Sequence, residues 1–320
     1  MLSKLKIAVV SLNVALMSAC GGGGGGGNPY AGLLLISPSN YVGVATDSIY
    51  GANGASDATS LGTNLVGAEI SQSSSFGLKR IAVLTANTLL KNGAAFTSPT
   101  VVGAVMEESS ACSGGGSLSI SVNDADNNDA LSVGDSLRGT FNNCVENGLR
   151  INGSLSMSVN SYSGNLANSG SLSLTMEFNN LSGGNESING SIILVMNQTT
   201  STNGSVSLTM PSVTLNTNGN TFTYTDFNMT TTLNGLSSTL TMAGNVSSSK
   251  YGGSVDITTP TRITIDSSDR VTGTILMAGK NGTKVRIIGQ GTTNIRIEAD
   301  TTGNGTYDTN TTVNLANLGL

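Results

Sequence analysis

One run of twelve residues concentrates the chemistry of this 320-residue chain. Asp124-Ala125-Asp126-Asn127-Asn128-Asp129-Ala130-Leu131-Ser132-Val133-Gly134-Asp135 alternates oxygen-bearing side chains with small ones and closes on a carboxylate. A hard cation takes six to eight oxygens from a chain bent sharply around it, and this spacing supplies them. Asn and Asp are also turn formers, so the same run fits a polar hairpin. Cys20, Cys112 and Cys144 are the only thiols. The chain has no histidine, which removes the commonest general base, the commonest zinc ligand and every Ser–His or Cys–His pair. The inventory therefore points to a non-enzymatic protein. A net charge of −5, with 14 basic residues, leaves no basic surface for nucleic acid.

The acidic run resembles the EF-hand or dockerin type of calcium loop. Asp124, Asp126 and Asn128 stand at positions one, three and five, and the Ala130 carbonyl at seven. Ser132 stands at nine and Asp135 at twelve, with apolar Leu131 at eight. It departs from that pattern at Asp129, where glycine is usual, and in its flanks, which read as strands. The resemblance implies calcium as a possible cofactor of this loop, and no other cofactor is indicated. A second run, Asp300-Thr301-Thr302-Gly303-Asn304-Gly305-Thr306-Tyr307-Asp308, resembles the D-x-D-G-D-G-x-x-D loop. Thr302 replaces an acid there and Thr311 offers no carboxylate, so Asp300, Asn304 and Asp308 form a weaker set and a tight turn fits better.

The N-terminus reads as an address. Lys4 and Lys6 precede an apolar stretch, Ile7 to Met17, too short to span a bilayer as an anchor. Leu16-Met17-Ser18-Ala19-Cys20 resembles a bacterial lipobox, with Met17 where leucine is usual. The resemblance implies a signal peptide over 1–19, cleavage before Cys20, and a diacylglyceride plus an acyl chain such as palmitate on that residue. Several chains anchor stably where one does not. Gly21 to Gly27 reads as a flexible tether, giving a segment 20–29. Residue 21 is not Asp, the inner-membrane retention signal, so the resemblance implies the outer membrane of a Gram-negative bacterium. Cleavage leaves 12 basic against 19 acidic residues, a net −7, which disfavours a polybasic grip on anionic lipid. In an exported chain the remaining pair, Cys112 and Cys144, is expected to form a disulfide.

The rest of the chain must position these groups. Residues 30–98 read as a helical segment. Ser39 to Tyr50 has Val42, Ala45 and Ile49 at helical spacing, and Phe76 to Lys91 carries an apolar stripe that includes Leu78, Ile81, Leu84 and Leu89. Residues 99–320 read as strands. Leu155-x-Met157-x-Val159, Leu172-x-Leu174-x-Met176-x-Phe178, Ile192-x-Leu194-x-Met196 and Val206-x-Leu208-x-Met210 repeat one alternation behind Gly-Ser turns. More than ten strands in series with one oily face must curl, split or close. We therefore expect a mainly β protein of α+β type. Its large curved antiparallel meander would be a half-barrel or barrel, with the Phe76–Lys91 helix packed on the concave face as one folded unit.

The layout is similar to the curved-sheet lipoprotein carriers. Lipobox, glycine tether, Cys112 before Gly114-Gly115-Gly116, acidic loop, Phe141-Asn142-Asn143-Cys144 and the late Gly-Asn-Gly together resemble an uncharacterised group of proteobacterial outer-membrane lipoproteins. That group brings no activity with it. Two readings of function follow from the shape. In one, Leu78, Ile81, Leu84, Leu89, Leu155, Met157, Leu174, Met176, Leu194 and Leu208 surround a lipid or acyl chain. In the other they fill the core of a structural or surface interaction module. A transmembrane barrel fits less well, because 7 Tyr, 6 Phe and no Trp are few for two aromatic girdles.

Overall fold

The amphipathic repeats pair edge to edge. A computed structural model describes residues 32–48 and 106–314, apart from 127, 129–131, 147, 166–168, 201, 218 and 269. Its body is one antiparallel sheet of fourteen strands in unbroken sequence order. The strands are β1 (Met106–Ala111), β2 (Ser117–Asn123), β3 (Ser136–Glu146), β4 (Leu149–Asn165), β5 (Ser169–Gly183), β6 (Glu186–Thr200) and β7 (Asn203–Thr217). They continue as β8 (Asn220–Asn234), β9 (Ser237–Ser248), β10 (Gly253–Ile265), β11 (Val271–Ala278), β12 (Lys284–Thr292), β13 (Asn294–Asp300) and β14 (Thr309–Asn314). Each strand pairs with the next, whereas β1 and β14 do not pair. The sheet is thus not closed, and the barrel half of the sequence expectation is corrected.

Alternation sorts the side chains onto two faces. On the inner face Leu155, Met157, Leu174, Met176, Leu194 and Leu208 are at most 2% exposed. The outer face is a lattice of Ser, Thr and Asn that bond across strands. Asn160 Nδ2 donates to Thr175 Oγ1 (2.9 Å) and Thr209 Oγ1 to Asn228 Oδ1 (2.8 Å), while Ser163 and Ser171 share a 2.8 Å bond.

The long strands β4 to β8 reach about 50 Å at the usual rise per residue. They outrun the apolar repeats because bulges reset the phase of alternation. The inward residue jumps by three from Phe141 to Cys144, Phe178 to Leu181, Met210 to Val213 and Tyr224 to Phe227. Both members of every pair are buried. Pro211, on a central strand, lies within one of these bulges, where no ladder donor is needed. Where the β9–β10 ladder parts, Thr259 Oγ1 takes the N–H of Met242 (2.8 Å) and donates to its carbonyl (2.9 Å).

Two bulges share one construction. Asn143 and Asn180 both adopt φ 48°, and their N–H groups donate to Asn152 Oδ1 (2.8 Å) and Asn189 Oδ1 (3.1 Å) on the following strand. The sequence Phe-Asn-Asn followed by Asn-Gly-Ser thus occurs twice, at Phe141 and at Phe178. Gly153 (φ 97°) and Gly190 (φ 121°) follow the capping asparagines. A Cβ on Gly153 would stand 2.3 Å from the Asn180 carbonyl oxygen, and one on Gly190 2.2 Å from that of Ser212. Only glycine combines that dihedral with that approach.

The buried face also holds an unpaired polar group. The Tyr224 hydroxyl is fully buried and has no hydrogen-bond partner, while its ring packs edge-on against Phe227 at 5.2 Å. Burial drives its ionisation far above the ordinary tyrosine range.

The described N-terminal residues fasten to one end of the sheet. Leu34 N–H donates to the Ser254 carbonyl (2.7 Å), Lys280 N–H to that of Leu34 (2.7 Å) and Ile36 N–H to Thr283 Oγ1 (3.2 Å). Helix α1, residues 41–48, then buries Tyr41, Val44 and Ala45, close to the span expected from 39 to 50. Asp47 accepts from Lys250 Nζ and from the Tyr251 hydroxyl, both at 2.9 Å. Burial, with the Asp47 carboxylate beside it, pushes the Tyr251 hydroxyl up to about 12. Burial alone would lower Lys250, but Asp47 and Tyr251 hold it above its usual value. The expected Phe76–Lys91 helix, with Leu78, Ile81, Leu84 and Leu89, lies outside the described residues, as does Cys20.

A meander alternates its turns between two ends. The β1–β2, β3–β4, β5–β6, β7–β8, β9–β10, β11–β12 and β13–β14 turns share the end that holds α1. The β2–β3 turn, which is the acidic run, lies at the opposite end with the β4–β5, β6–β7 and β8–β9 turns.

Candidate metal centre

The acidic run leaves β2 at Asn123 and enters β3 at Ser136. Turn chemistry shapes it. Asn128 N–H donates to Asp124 Oδ1 (3.3 Å), and Asn128 Nδ2 to Asp126 Oδ2 (2.8 Å). Asp135 clasps the two ends together: its Oδ1 accepts from Ala125 N–H (2.9 Å) and Ser132 Oγ (3.2 Å), and its Oδ2 from Ser132 N–H (2.6 Å). Asp135 is 1% exposed. The closing turn docks on β4, where Gly134 N–H donates to the Val159 carbonyl and Val159 N–H to that of Asp135, each at 2.9 Å.

Within this frame, one carboxylate oxygen from each of Asp124, Asp126 and Asp135 lies within 4.8 Å of the others. The sequence separates these residues by up to eleven positions, and the hairpin brings them together. All the donors are hard oxygens, with no sulfur or imidazole, which is the chemistry that calcium selects. A carboxylate offers about four lone-pair sites, and the loop uses three of those on Asp135. The donor set therefore fits a calcium ion held by Asp124, Asp126 and Asp135, with Asn128 and Ser132 beside them. Ala130 lies outside the described residues.

The second acidic run sits at the other end of the sheet and is built differently. Asp300, 1% exposed, accepts from the backbone N–H groups of Gly303 (2.7 Å), Gly305 (2.7 Å), Asn304 (3.2 Å) and Thr302 (3.3 Å). Burial opposes its ionisation, but the N–H groups of Gly305, Gly303 and Asn304 outweigh burial and hold its carboxyl below the usual aspartate range. Asp308 accepts from Thr301 N–H and Thr301 Oγ1, and Asn304 Oδ1 from Thr306 N–H. Donors converge on these oxygens, and the result is the tight turn expected as the better fit. The turn also lays the Tyr307 ring on the Arg286 guanidinium at 3.7 Å.

The disulfide is formed: Cys112 and Cys144 are bonded, with Cα atoms 5.3 Å apart. It ties the residue after β1 to β3 across the intervening β2. One partner of this staple has no signature in the sequence. Glu146 accepts from Ser113 N–H (2.8 Å) and Ser113 Oγ (2.7 Å), so that the Gly-rich loop after Cys112 is held at both sides.

Comparison with known proteins found no matching family model, no matching curated protein and no matching solved structure.

Proposed function

We propose that this is a lipid-anchored, non-enzymatic module of the outer membrane whose filled β-sheet presents a calcium-binding loop. The observation that carries the reading is the convergence of Asp124, Asp126 and Asp135 on a hairpin clasped by Asp135. Bound calcium would supply the positive charge that lets three carboxylates share so small a volume. The chain's own residues preset the loop, through the Asp135 clasp and the contact with Val159.

Of the two functional readings, the filled module has the stronger support. A chamber for an acyl chain would leave the side chains that line it partly exposed. Yet Leu172, Leu174, Met176, Ile192, Leu194 and Met210 are all 0% exposed. The hydrophobic-ligand reading draws on the part of the same face nearest the β6–β7 and β8–β9 turns. There Met196, Val206, Met229 and Leu240 are only partly buried.

We further propose that the sheet curves as a half-barrel and that the apolar stripe of 76–91 covers this wetter part of its inner face. Residue 48 lies at the α1 end and β1 starts at the acidic-loop end, so residues 49–105 must join the two. Leu84→Ala is then expected to cost at least about 2 kcal/mol, the lower range for a packed leucine. A change in the urea midpoint below a few tenths of a molar unit would remove the stripe from the core.

The anchor is tested in cells. Cys20→Ser is expected to move the protein out of the membrane fraction or to leave uncleaved precursor. Processing and membrane association like those of the wild type would sink the lipidation reading.

A further inference from the structure

We infer that the α1 end of the sheet is the face that rests on the bilayer, with Leu33 and Leu35 at the lipid interface and the calcium loop held away from it. The inference rests on the lipidation of Cys20 proposed above.

The covalent path from Cys20 limits which end can meet the bilayer. Cys20 stands twelve residues before Gly32, the first described residue, and twelve residues cannot span more than about 40 Å. Gly32 is itself fixed, since its carbonyl accepts the Ser254 N–H at the start of β10 (3.2 Å). Strands β9 and β10, with 12 and 13 residues, lead away from this point and extend about 40 Å. A bilayer that holds Cys20 is therefore within easy reach of the α1 end, while the opposite turns stand a strand length farther along the sheet.

The surface at that end carries exposed apolar side chains. Along the arm, Leu34 and Ile36 turn into the protein, whereas Leu33 is 37% and Leu35 50% exposed. The exposure is imposed by pairing: the backbone bonds of Leu34 to Ser254 and Lys280 fix which side chains face out. Lys280 is exposed next to this arm, at the tip of the β11–β12 turn. Two leucines beside a lysine suit the boundary between acyl chains and phosphate headgroups. The calcium loop belongs to the opposite set of turns, so an ion or partner meets it from the aqueous side.

The test uses the full mature lipoprotein, purified from membranes and reconstituted into vesicles of phosphatidylethanolamine and phosphatidylglycerol. Leu35→Cys and Leu236→Cys each receive an environment-sensitive fluorophore; Leu236 is 84% exposed at the β8–β9 turn, on the acidic-loop end. Flotation with the vesicles is scored first, because failure to float overturns the anchor and the orientation with it. Among floating samples, brominated lipid is expected to quench most of the emission at position 35 and none at position 236. Equal quenching at both positions, or none at 35, would overturn the orientation and leave the anchor standing. As a second readout, a probe at Lys280→Cys should lose most of its quenching when Leu33→Ser and Leu35→Ser are combined. Unchanged quenching in that variant would overturn the role given to the two leucines.

Discussion

Gly153→Ala is expected to destabilise the sheet by at least about 3 kcal/mol, the cost of backbone strain joined to a collision. The new Cβ would meet the Asn180 carbonyl oxygen at 2.3 Å and that of Asn179 at 2.7 Å, and neither is the end of a flexible side chain. Relief would require β4 and β5 to part at the bulge that turns Phe178 and Leu181 inward. Gly148→Ala is the control. Its φ is 74°, but nothing lies within 4 Å of the added atom, so the left-handed dihedral alone should cost about 1–2 kcal/mol. Urea midpoints at unchanged m-value measure both. Equal losses for the two variants would mean that the bulge yields and that the close approach is unimportant.

Removing the disulfide should have an effect of similar size. Cys112 and Cys144 are 32 positions apart, and closing such a loop restricts the unfolded chain by about 3–4 kcal/mol on the chain-entropy model. In the folded state the bond also anchors the short edge strand β1 to β3. We expect Cys112→Ser with Cys144→Ser to lower the melting temperature markedly, and hydrogen exchange to rise first in β1 and β2. A double variant as stable as the wild type would show that the strand pairing holds this edge without the bond.

Much of the sheet could be read from alternation, and the places where the reading stopped have a common cause. Leu172, Leu174, Met176 and Phe178 announce β5, but the strand continues to Gly183 behind the bulge at Asn179 and Asn180. A bulge inserts one residue and inverts the pattern, so Leu181 looks as if it faces the wrong side. The left-handed asparagines are the physical trace of that device, and a single pattern of period two cannot contain it. β14 is nearly silent in the sequence for a different reason: Thr309-Asn310-Thr311-Thr312-Val313-Asn314 buries little and carries almost no apolar signal. Helix α1 was legible from Val42 and Ala45. The fastening of its arm was not, because backbone bonds to Ser254 and Lys280 leave no mark in side-chain type. In the acidic loop the choice of oxygens was readable, whereas the role of Asp135 as clasp depends on how the turn folds back to Ala125.

Calcium binding by the clasped loop is decided by thermal unfolding of the purified mature domain in calcium and in chelator. A ligand that binds only the folded state stabilises it by mass action, by about 2.7 kcal/mol at a hundredfold excess over Kd. A higher melting temperature in calcium than in chelator is expected for the wild type. Asp124→Ala should abolish the difference, whereas Asp308→Ala, at the far end of the sheet, should keep most of it. Identical melting curves for the wild type with and without calcium would contradict calcium binding and reduce the loop to a polar turn.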